Sequence, residues 1–535
     1  MVLKEGIKSS YIQLFMVFIV IVLLKEVNII PSYYLNFKLF AYILPFLSIP
    51  VLLDLKKSAP SGFSHTGPIL LILFTFILSI RLIPYIYTQV PLGYDPGFYK
   101  YAIEMYANNL PNIPESTLPE WLKVMFPQGL FVLTDILYIF AGFDAAGFFK
   151  ILFPFLCALL ILPVFILTRD LFDERSATIA ALLYALSYTQ YTMFTYLYFK
   201  NVIGLIFLLL AIFLLERKKY APLVLMYAAL GIYHRPEFLL FSLIMVVYFL
   251  HVRDKKLIYV VLATAIMIAP FWLSRLSGNL LMIRNVAGTA LTNIQVSQAG
   301  GGGTFFGFGT YEWVSLAYLP FGLIGVIYVL LQKKWSGLLF GFLINAAIVV
   351  FQLFFFKRLI ISLDILLIIF AGAGLNYGFL ESKLISKKLA SAAVILLLAS
   401  SGIILLEQVS HARPLVNEDQ LEAVRWLALN TEPDAYVLAT SYDAPWVLGW
   451  SERRVIAPGL FQWNIYNEQK WIEFLRTGDP EIAKEFLEPY NSSNIYVYHS
   501  KNRFNQMNLE KFEGSSFETI EWKSVNIYKL NSTSK

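Results

Sequence analysis

Between Tyr11 and Leu406 the chain repeats one pattern, runs of about 15–22 apolar residues broken by short charged loops. That is the signature of membrane-crossing helices. The runs predict spans over 11–24, 37–53, 67–88, 146–168, 177–190, 199–215, 221–233, 237–252, 257–274, 311–332, 336–356, 359–378 and 389–406. One further stretch, 129–143, is short and carries Asp135, which places it at the interface or in a re-entrant segment. From Pro414 onward no run is long enough to span, and charged residues, Asn, Ser and Trp return. The expected division is a transmembrane domain over 1–412, with long loops at 89–145 and 275–310, and a soluble domain over 413–535.

The tail alternates helix and strand signals. Asn417 caps a helix over Gln420–Asn430, Glu468–Arg476 and Pro480–Glu488 read as helices, and Ala435–Thr440, Ile495–His499 and Val525–Leu530 read as strands. The fold class expected is therefore a polytopic α-helical membrane protein with a C-terminal soluble α/β domain. Trp446, Trp450, Phe461, Trp463, Tyr466 and Trp471 crowd into this small domain, where core packing is a commoner use than sugar binding.

Charge sets the orientation. Arg169/Arg175, Arg217/Lys218/Lys219, Arg253/Lys255/Lys256, Lys333/Lys334 and Lys383/Lys387/Lys388 share one side with Lys4/Lys8 and Lys56/Lys57 if 129–143 does not cross. The positive-inside rule then gives about thirteen crossings, a cytoplasmic N-terminus and an extracytoplasmic tail in the cell membrane. The net charge of +6 is thus an orientation signal and implies no nucleic-acid partner. Composition agrees, with 58% hydrophobic and 15% charged residues, against about 45–50% and 25% for soluble domains. The single cysteine, Cys157, excludes an intrachain disulfide and Cys-based metal sites.

The unusual polar residues of the membrane half collect on the outer side. Gly93-Tyr94-Asp95-Pro96-Gly97-Phe98-Tyr99 begins an amphipathic helix, with Asp95 as a capping carboxylate that is also able to accept a proton. Arg81 lies inside a span, costly unless it is paired or holds an anion. Lys200, the His234-Arg235-Pro236-Glu237 turn and Lys357-Arg358 stand at outer helix ends. Lys357 shares a helix face with Asp364, one heptad on, which gives the lysine a structural partner; guanidinium groups suit phosphate oxygens. The His-Arg-Pro-Glu turn can also satisfy itself by ion pairing. No phosphate-binding glycine loop and no His-Glu-x-x-His pair is present.

Taken together, the Gly-Tyr-Asp-Pro-Gly-Phe-Tyr loop, Arg169-Asp-Leu-Phe-Asp-Glu-Arg-Ser-Ala177 and Phe356-Lys357-Arg358-Leu359 resemble the GT-C superfamily of membrane glycosyltransferases, in its protein mannosyltransferase and aminoarabinose transferase branch. A weaker resemblance is to the oligosaccharyltransferase catalytic subunit. Asp95-Pro96-Gly97-Phe98 matches that subunit's first loop, and Val296-Ser297-Gln298 matches a later loop with Gln298 in place of a glutamate. Ser441-Tyr442-Asp443-Ala444-Pro445-Trp446 departs from its sequon-binding motif. The loop Tyr188–Lys200 has no carboxylate, which argues against a strong metal site, although the resemblance leaves room for a divalent cation, Mg or Mn.

The resemblance implies inverting transfer of a sugar from a polyprenyl-phosphate-linked donor to a protein, lipid or glycan acceptor. Asp95 would be the catalytic carboxylate, and Arg358 with Arg81, Lys200 and Arg235 would bind the donor phosphate. Tyr94, Tyr99, His234, Glu237 and Gln298 would line the substrate. The rival class is a lipid-linked glycan transporter or a non-catalytic membrane assembly protein. A transporter places charges near the midplane, whereas here they collect at one face. A glycan polymerase or ligase shares the donor chemistry.

Overall fold

A computed structural model describes residues 66–109, 147–273, 306–381, 386–459, 461–490, 494–501, 507–513 and 517–530, with single residues and short stretches between 119 and 142 and between 275 and 280. The expected spans at 11–24 and 37–53, most of 129–143, and Gln298 lie outside the described residues. In chain order the helices are α1 (Thr66–Leu82), α2 (Pro96–Ala107), α3 (Phe153–Leu159), α4 (Ile161–Leu171), α5 (Glu174–Ala185), α6 (Tyr188–Thr195), α7 (Phe199–Glu216), α8 (Tyr220–Tyr233), α9 (Arg235–Val252) and α10 (Lys256–Leu273). They continue with α11 (Phe308–Ser315), α12 (Leu319–Leu331), α13 (Gly337–Val350), α14 (Phe356–Leu375) and α15 (Lys387–His411). The tail adds α16 (Glu418–Asn430), β1 (Tyr436–Ala439), α17 (Ala444–Ser451), β2 (Arg454–Ile456), α18 (Glu468–Arg476), α19 (Pro480–Leu487), β3 (Ile495–Ser500), β4 (Phe517–Trp522) and β5 (Val525–Leu530).

Two compact units result. The first joins Met1–Ile83, Phe153–Trp272 and Phe305–Ala412; the second joins Pro84–Leu152 and Leu273–Thr304 to Arg413–Lys535. Among the described residues seven helices are long and apolar enough to cross a membrane, and an eighth forms if α11 and α12 count as one bent span.

The expected single spans differ from this in two places. The stretch 311–332 is bent by 81° between α11 and α12, where Pro320 sits in the first turn of α12 and cannot continue a hydrogen-bonded helix across the join. The stretch 177–190 breaks at Ser187, whose hydroxyl accepts from the Gln190 amide and begins α6 anew. Helices α8 and α13, at 14 residues each, are shorter than the roughly 20 residues needed to cross unaided.

The centre of the first unit is α14, buried without interruption from Leu359 to Leu375. Small residues let its neighbours approach this closely. A Cβ on Gly325 would overlap the Phe370 carbonyl, and one on Gly372 would lie 2.5 Å from the Ser176 carbonyl on α5. The opposite ends of the helices are also fixed. At one end Glu216, closing α7, accepts from the Gly337 amide that opens α13, Arg217 pairs with Asp170, and Arg175 lies 3.8 Å from Glu381. The N-termini of α7, α9 and α14 lie at the other.

The tail of the second unit is a five-stranded mixed sheet in the order β2-β1-β3-β5-β4. Strand β1 is parallel to β2 and to β3, and β5 is antiparallel to β3 and β4. Helices α16, α18 and α19 and strands β3 and β5 match their expected positions closely. Strands β2 and β4 and helix α17 were not anticipated. Three residues of β2 give no usable alternation, and α17 is almost wholly buried and so lacks a polar face. The aromatic cluster is packed: Trp446 and Trp471 are buried and Trp463 and Tyr466 pack against the core, so these side chains serve the fold.

Candidate functional site

Helices α7, α9 and α14 of the first unit each carry a cation in the first turn and lack a side-chain cap. Lys200 is the second residue of α7, Arg235 the first of α9, and Arg358 the third of α14. The cap positions are held by Tyr198, His234 and Phe355. The charges of Arg358, Lys200 and Arg235 all act on the His234 ring, so the three helix starts converge on one place. Lys200 and Arg235 are buried, while Arg358 is partly exposed. Helix N-termini already carry partial positive charge and donor N–H groups. Adding three cations there makes a site suited to an anion, above all one with several oxygens.

Beneath it, His234 contacts the fully buried carboxylate of Glu237, which also accepts from the Ser362 hydroxyl at 3.0 Å. Gly204 makes room for the His234 ring, since a Cβ there would lie 2.9 Å from the His234 Cβ. The His-Arg-Pro-Glu turn therefore sets the His234 ring against the Glu237 carboxylate and places Arg235 in the first turn of α9.

Arg81 and Asp364 fall elsewhere in the same unit. The Arg81 guanidinium donates to the carbonyls of Ile77 at 3.3 Å and Gln190 at 3.2 Å, and lies over the rings of Tyr191 and Phe194. Asp364, expected to face Lys357, is held by neutral donors instead: Gln190 Nε2 at 2.7 Å, Ser187 Oγ at 3.1 Å and the Tyr318 hydroxyl. A buried carboxylate needs hydrogen bonds more than it needs a counter-ion near the surface. Lys357 is exposed. The sequence signal for this network is that Ser187 and Gln190 are polar positions within one apolar run.

The Asp95 turn belongs to the second unit. Val90 through Tyr99 are buried at every position but Asp95, which is partly exposed. The turn thus buries its own framework and leaves Asp95 partly exposed. Asp95 does not act as the expected cap: it precedes α2 in backbone terms, but its side chain makes no capping hydrogen bond, and Pro96 supplies the helix start. Tyr94 donates its hydroxyl to the Ser441 carbonyl, and Tyr99 is packed against Phe126 and Phe149. Burial raises the Tyr94 hydroxyl pKa, and the charges of Asp95 and Asp443 raise it further, which keeps it a donor. Both tyrosines, expected to line the substrate, are part of the turn's support. Asp443 is fully buried and accepts from the Ser500 amide at 3.1 Å and its hydroxyl at 2.7 Å.

As to metals, among the described residues no group of three or more His, Cys, Asp or Glu side chains comes together.

A helix bundle with several spans apolar enough to cross a membrane and a small α/β tail is the class these features define. The fold is shared with the Archaeoglobus fulgidus oligosaccharyltransferase (18% identity, TM-score 0.58, over 82% of this chain and 70% of that one). A second structure of that protein is a complex with an inhibitory peptide and a dolichol-phosphate, and a third is a complex with Zn and sulfate. ArnT from Cupriavidus metallidurans matches over 87% of this chain and 98% of its own (13% identity, TM-score 0.55), and has also been solved bound to undecaprenyl phosphate. Arabinofuranosyltransferase AftD from Mycobacteria matches 89% of this chain at 13% identity and TM-score 0.53, but this chain covers only 42% of AftD. No protein-family model and no curated protein sequence matches.

Proposed function

We propose that the protein is an inverting glycosyltransferase that moves a sugar from a polyprenyl-phosphate donor to an acceptor hydroxyl or amide at the outer membrane face. The observation that carries the reading is the convergence of Lys200, Arg235 and Arg358 at three uncapped helix N-termini around His234. Such a ring favours a phosphate whose charge grows as it leaves. The resemblance to proteins solved with dolichol-phosphate and undecaprenyl phosphate supports a lipid-linked donor.

In this mechanism the Asp95 carboxylate takes the acceptor proton, the acceptor atom attacks the anomeric carbon, and the carbon–oxygen bond to phosphate breaks. The electron pair leaves on the phosphate, where Arg358, Lys200 and Arg235 stabilise it. Configuration at the anomeric carbon is inverted because attack and departure are on opposite faces. Arg81 serves the bundle interior through Gln190 and the aromatic rings. Charge clusters at the far helix ends (Arg169, Arg175, Arg217, Lys218, Lys219) support a cytoplasmic assignment for that side and an outer one for the site. About thirteen crossings remain the proposed count, with those at 11–24 and 37–53 included.

The test is transfer by purified full-length protein from radiolabelled dolichyl- and undecaprenyl-phosphate sugars. Wild type consumes a donor; Asp95→Asn loses at least about 10³-fold in kcat and Arg358→Ala about 10²-fold, both folded. Donor binding without consumption by wild type would favour a glycan transporter.

A further inference from the structure

The α/β tail and the Asp95 turn meet more closely than ordinary packing requires. Helix α2, which begins one residue after Asp95, crosses α17 at two glycines. A Cβ on Gly97 would overlap the Pro445 carbonyl oxygen, and a Cβ on Gly449 would lie 2.5 Å from both the Cα and the carbonyl oxygen of Gly97. The backbones themselves are therefore in contact, and neither position accepts alanine without the helices moving apart.

The crossing is fastened on both sides. Before it, the Tyr94 hydroxyl donates to the Ser441 carbonyl, just beyond the end of β1. After it, the Phe98 ring lies 5.4 Å from that of Phe461, and Lys100 approaches Glu452 at 3.7 Å and the Trp450 ring at 5.9 Å. Asp443, which opens α17, is anchored to β3 through Ser500. The place of attachment also has meaning in the sheet. Strand β1 sends its crossover through α17 to β2 on one side, while β3 adds on its other side. The carboxyl ends of such strands form the crevice where open α/β sheets take their ligands. Here the residues that leave the end of β1, Ser441 to Pro445, receive the chain's own Asp95 turn.

From this we infer that the C-terminal domain is a positioning element for the transfer reaction: α17 holds Asp95 through the Gly97–Gly449 crossing and the Tyr94–Ser441 bond. Gly449 and Tyr94 are positioning residues, acting through Asp95. The inference rests on the assignment of Asp95 as the base. A displacement of about 1 Å at a reacting group can cost on the order of 100-fold in rate, so even a methyl group at this crossing is expected to reach the chemistry.

The experiment uses full-length protein with whichever dolichyl- or undecaprenyl-phosphate sugar wild type consumes, and compares Gly449→Ala, Tyr94→Phe, Asp95→Asn and Gly478→Ala. Gly478 is the control: it lies in the same domain, and its added Cβ would meet the Glu510 carboxylate, away from the crossing. Rates are expressed per active site and followed with pH. Gly449→Ala is expected to lower kcat at least tenfold with donor KM within twofold, and to move the acid limb of kcat that reports the base. Tyr94→Phe lowers kcat about threefold in the same manner and carries the test if Gly449→Ala does not fold. Gly478→Ala matches wild type in both constants. If Asp95→Asn is inactive while Gly449→Ala and Tyr94→Phe keep wild-type kcat and pH profile, the positioning role is overturned and the base assignment stands. If Asp95→Asn stays active, or wild type consumes no donor, the reading beneath the inference fails with it.

Discussion

Two sets of helix starts in the membrane unit differ in how their first turns are completed. Helices α5, α13 and α15 begin at Asp173, Ser336 and Ser386, whose side chains accept from the amides of Ser176, Leu339 and Leu389 at 2.7, 3.2 and 3.3 Å. Helices α7, α9 and α14 begin without such a cap and place Lys200, Arg235 and Arg358 in the first turn. The first kind satisfies orphan N–H groups and stabilises the fold. The second does the opposite, because a cation at a helix N-terminus opposes the macrodipole by about 0.3–1 kcal/mol. Backbone strain accompanies two of these starts. Leu197, two residues before α7, and Phe355, before α14, both take a left-handed φ of 55°, a conformation that costs a residue with a Cβ about 1 kcal/mol or more. Capped starts also carry cations, Arg175 in α5 and Lys387 and Lys388 in α15, so what sets α7, α9 and α14 apart is a first-turn cation at a start with no side-chain cap.

His499 in the tail shows what a buried base does with no anion to meet. It is buried, both ring nitrogens lack a hydrogen-bond partner, and burial lowers its pKa to about 4, so it is neutral at pH 7. Arginine cannot take that route, being protonated throughout the working range.

The largest effect is expected from reversing a charge in the ring. Arg235→Glu should weaken binding of undecaprenyl phosphate, read by displacement of a labelled lipid, by at least about 10³-fold, since it removes a charge-assisted bond and adds repulsion. Its thermal midpoint should not fall, and a large drop in midpoint with unchanged binding would place Arg235 among the structural groups. Next is Asp173→Ala. Besides capping α5, Asp173 accepts from Asn376 at 3.0 Å and from the Tyr377 hydroxyl at 2.6 Å. Losing the cap and leaving two buried partners unpaired should cost about 3 kcal/mol of stability with donor affinity unchanged. Loss of affinity in that variant would dissolve the distinction between the two kinds of start.

For His499 the sign follows from the lowered pKa. The unfolded chain binds the proton below about pH 6.5 while the folded domain refuses it until about pH 4, so stability falls as pH drops through that window. At pH 5 the loss is about 2 kcal/mol, and His499→Leu should remove most of it. Hydrogen exchange of the β3 and β5 amides in the full chain, at pH 7.5 and pH 5, reads this directly. An identical pH response in the variant would assign the loss to other groups.

The sequence made some of this comparison readable and hid the rest. Lys200, Arg235, His234 and Arg358 stand out because charges are rare beside apolar runs, and the structure brings these four together. Their lack of caps was not evident, because Tyr198, His234 and Phe355 are identified as cap positions only once the helix boundaries are known. Arg81 was equally visible, yet the same rarity led to a different place: a buried guanidinium can be satisfied by carbonyls and rings that leave no mark in the residue types. The heptad logic that paired Lys357 with Asp364 failed because a partner on another helix, Gln190 or Tyr318, outcompetes one on the same face. In the tail, Asn417 announced α16, and a capping box with Gln420 confirms it. The Gly97–Gly449 crossing joins positions hundreds of residues apart, and a glycine in sequence does not say what approaches it.

The smallest effect separates the two kinds of helix start most cleanly. Ser336 is a simple cap: its hydroxyl accepts from Leu339, it is nearly buried, and it opens α13 at the end of the bundle where Glu216 also receives the Gly337 amide. Ser336→Ala removes one acceptor and should lower stability by about 1 kcal/mol, while Ser336→Gly, which lets water reach the same amide, should cost only a few tenths. Neither should change donor affinity or kcat. The pair is informative because the cost depends on what replaces the hydroxyl, and a packing defect would order the variants the other way, with the smaller glycine side the worse. A Ser336→Ala enzyme with wild-type stability would mean that Glu216 alone satisfies this helix start, and the contrast with the bare cationic starts would then rest on Asp173 and Ser386.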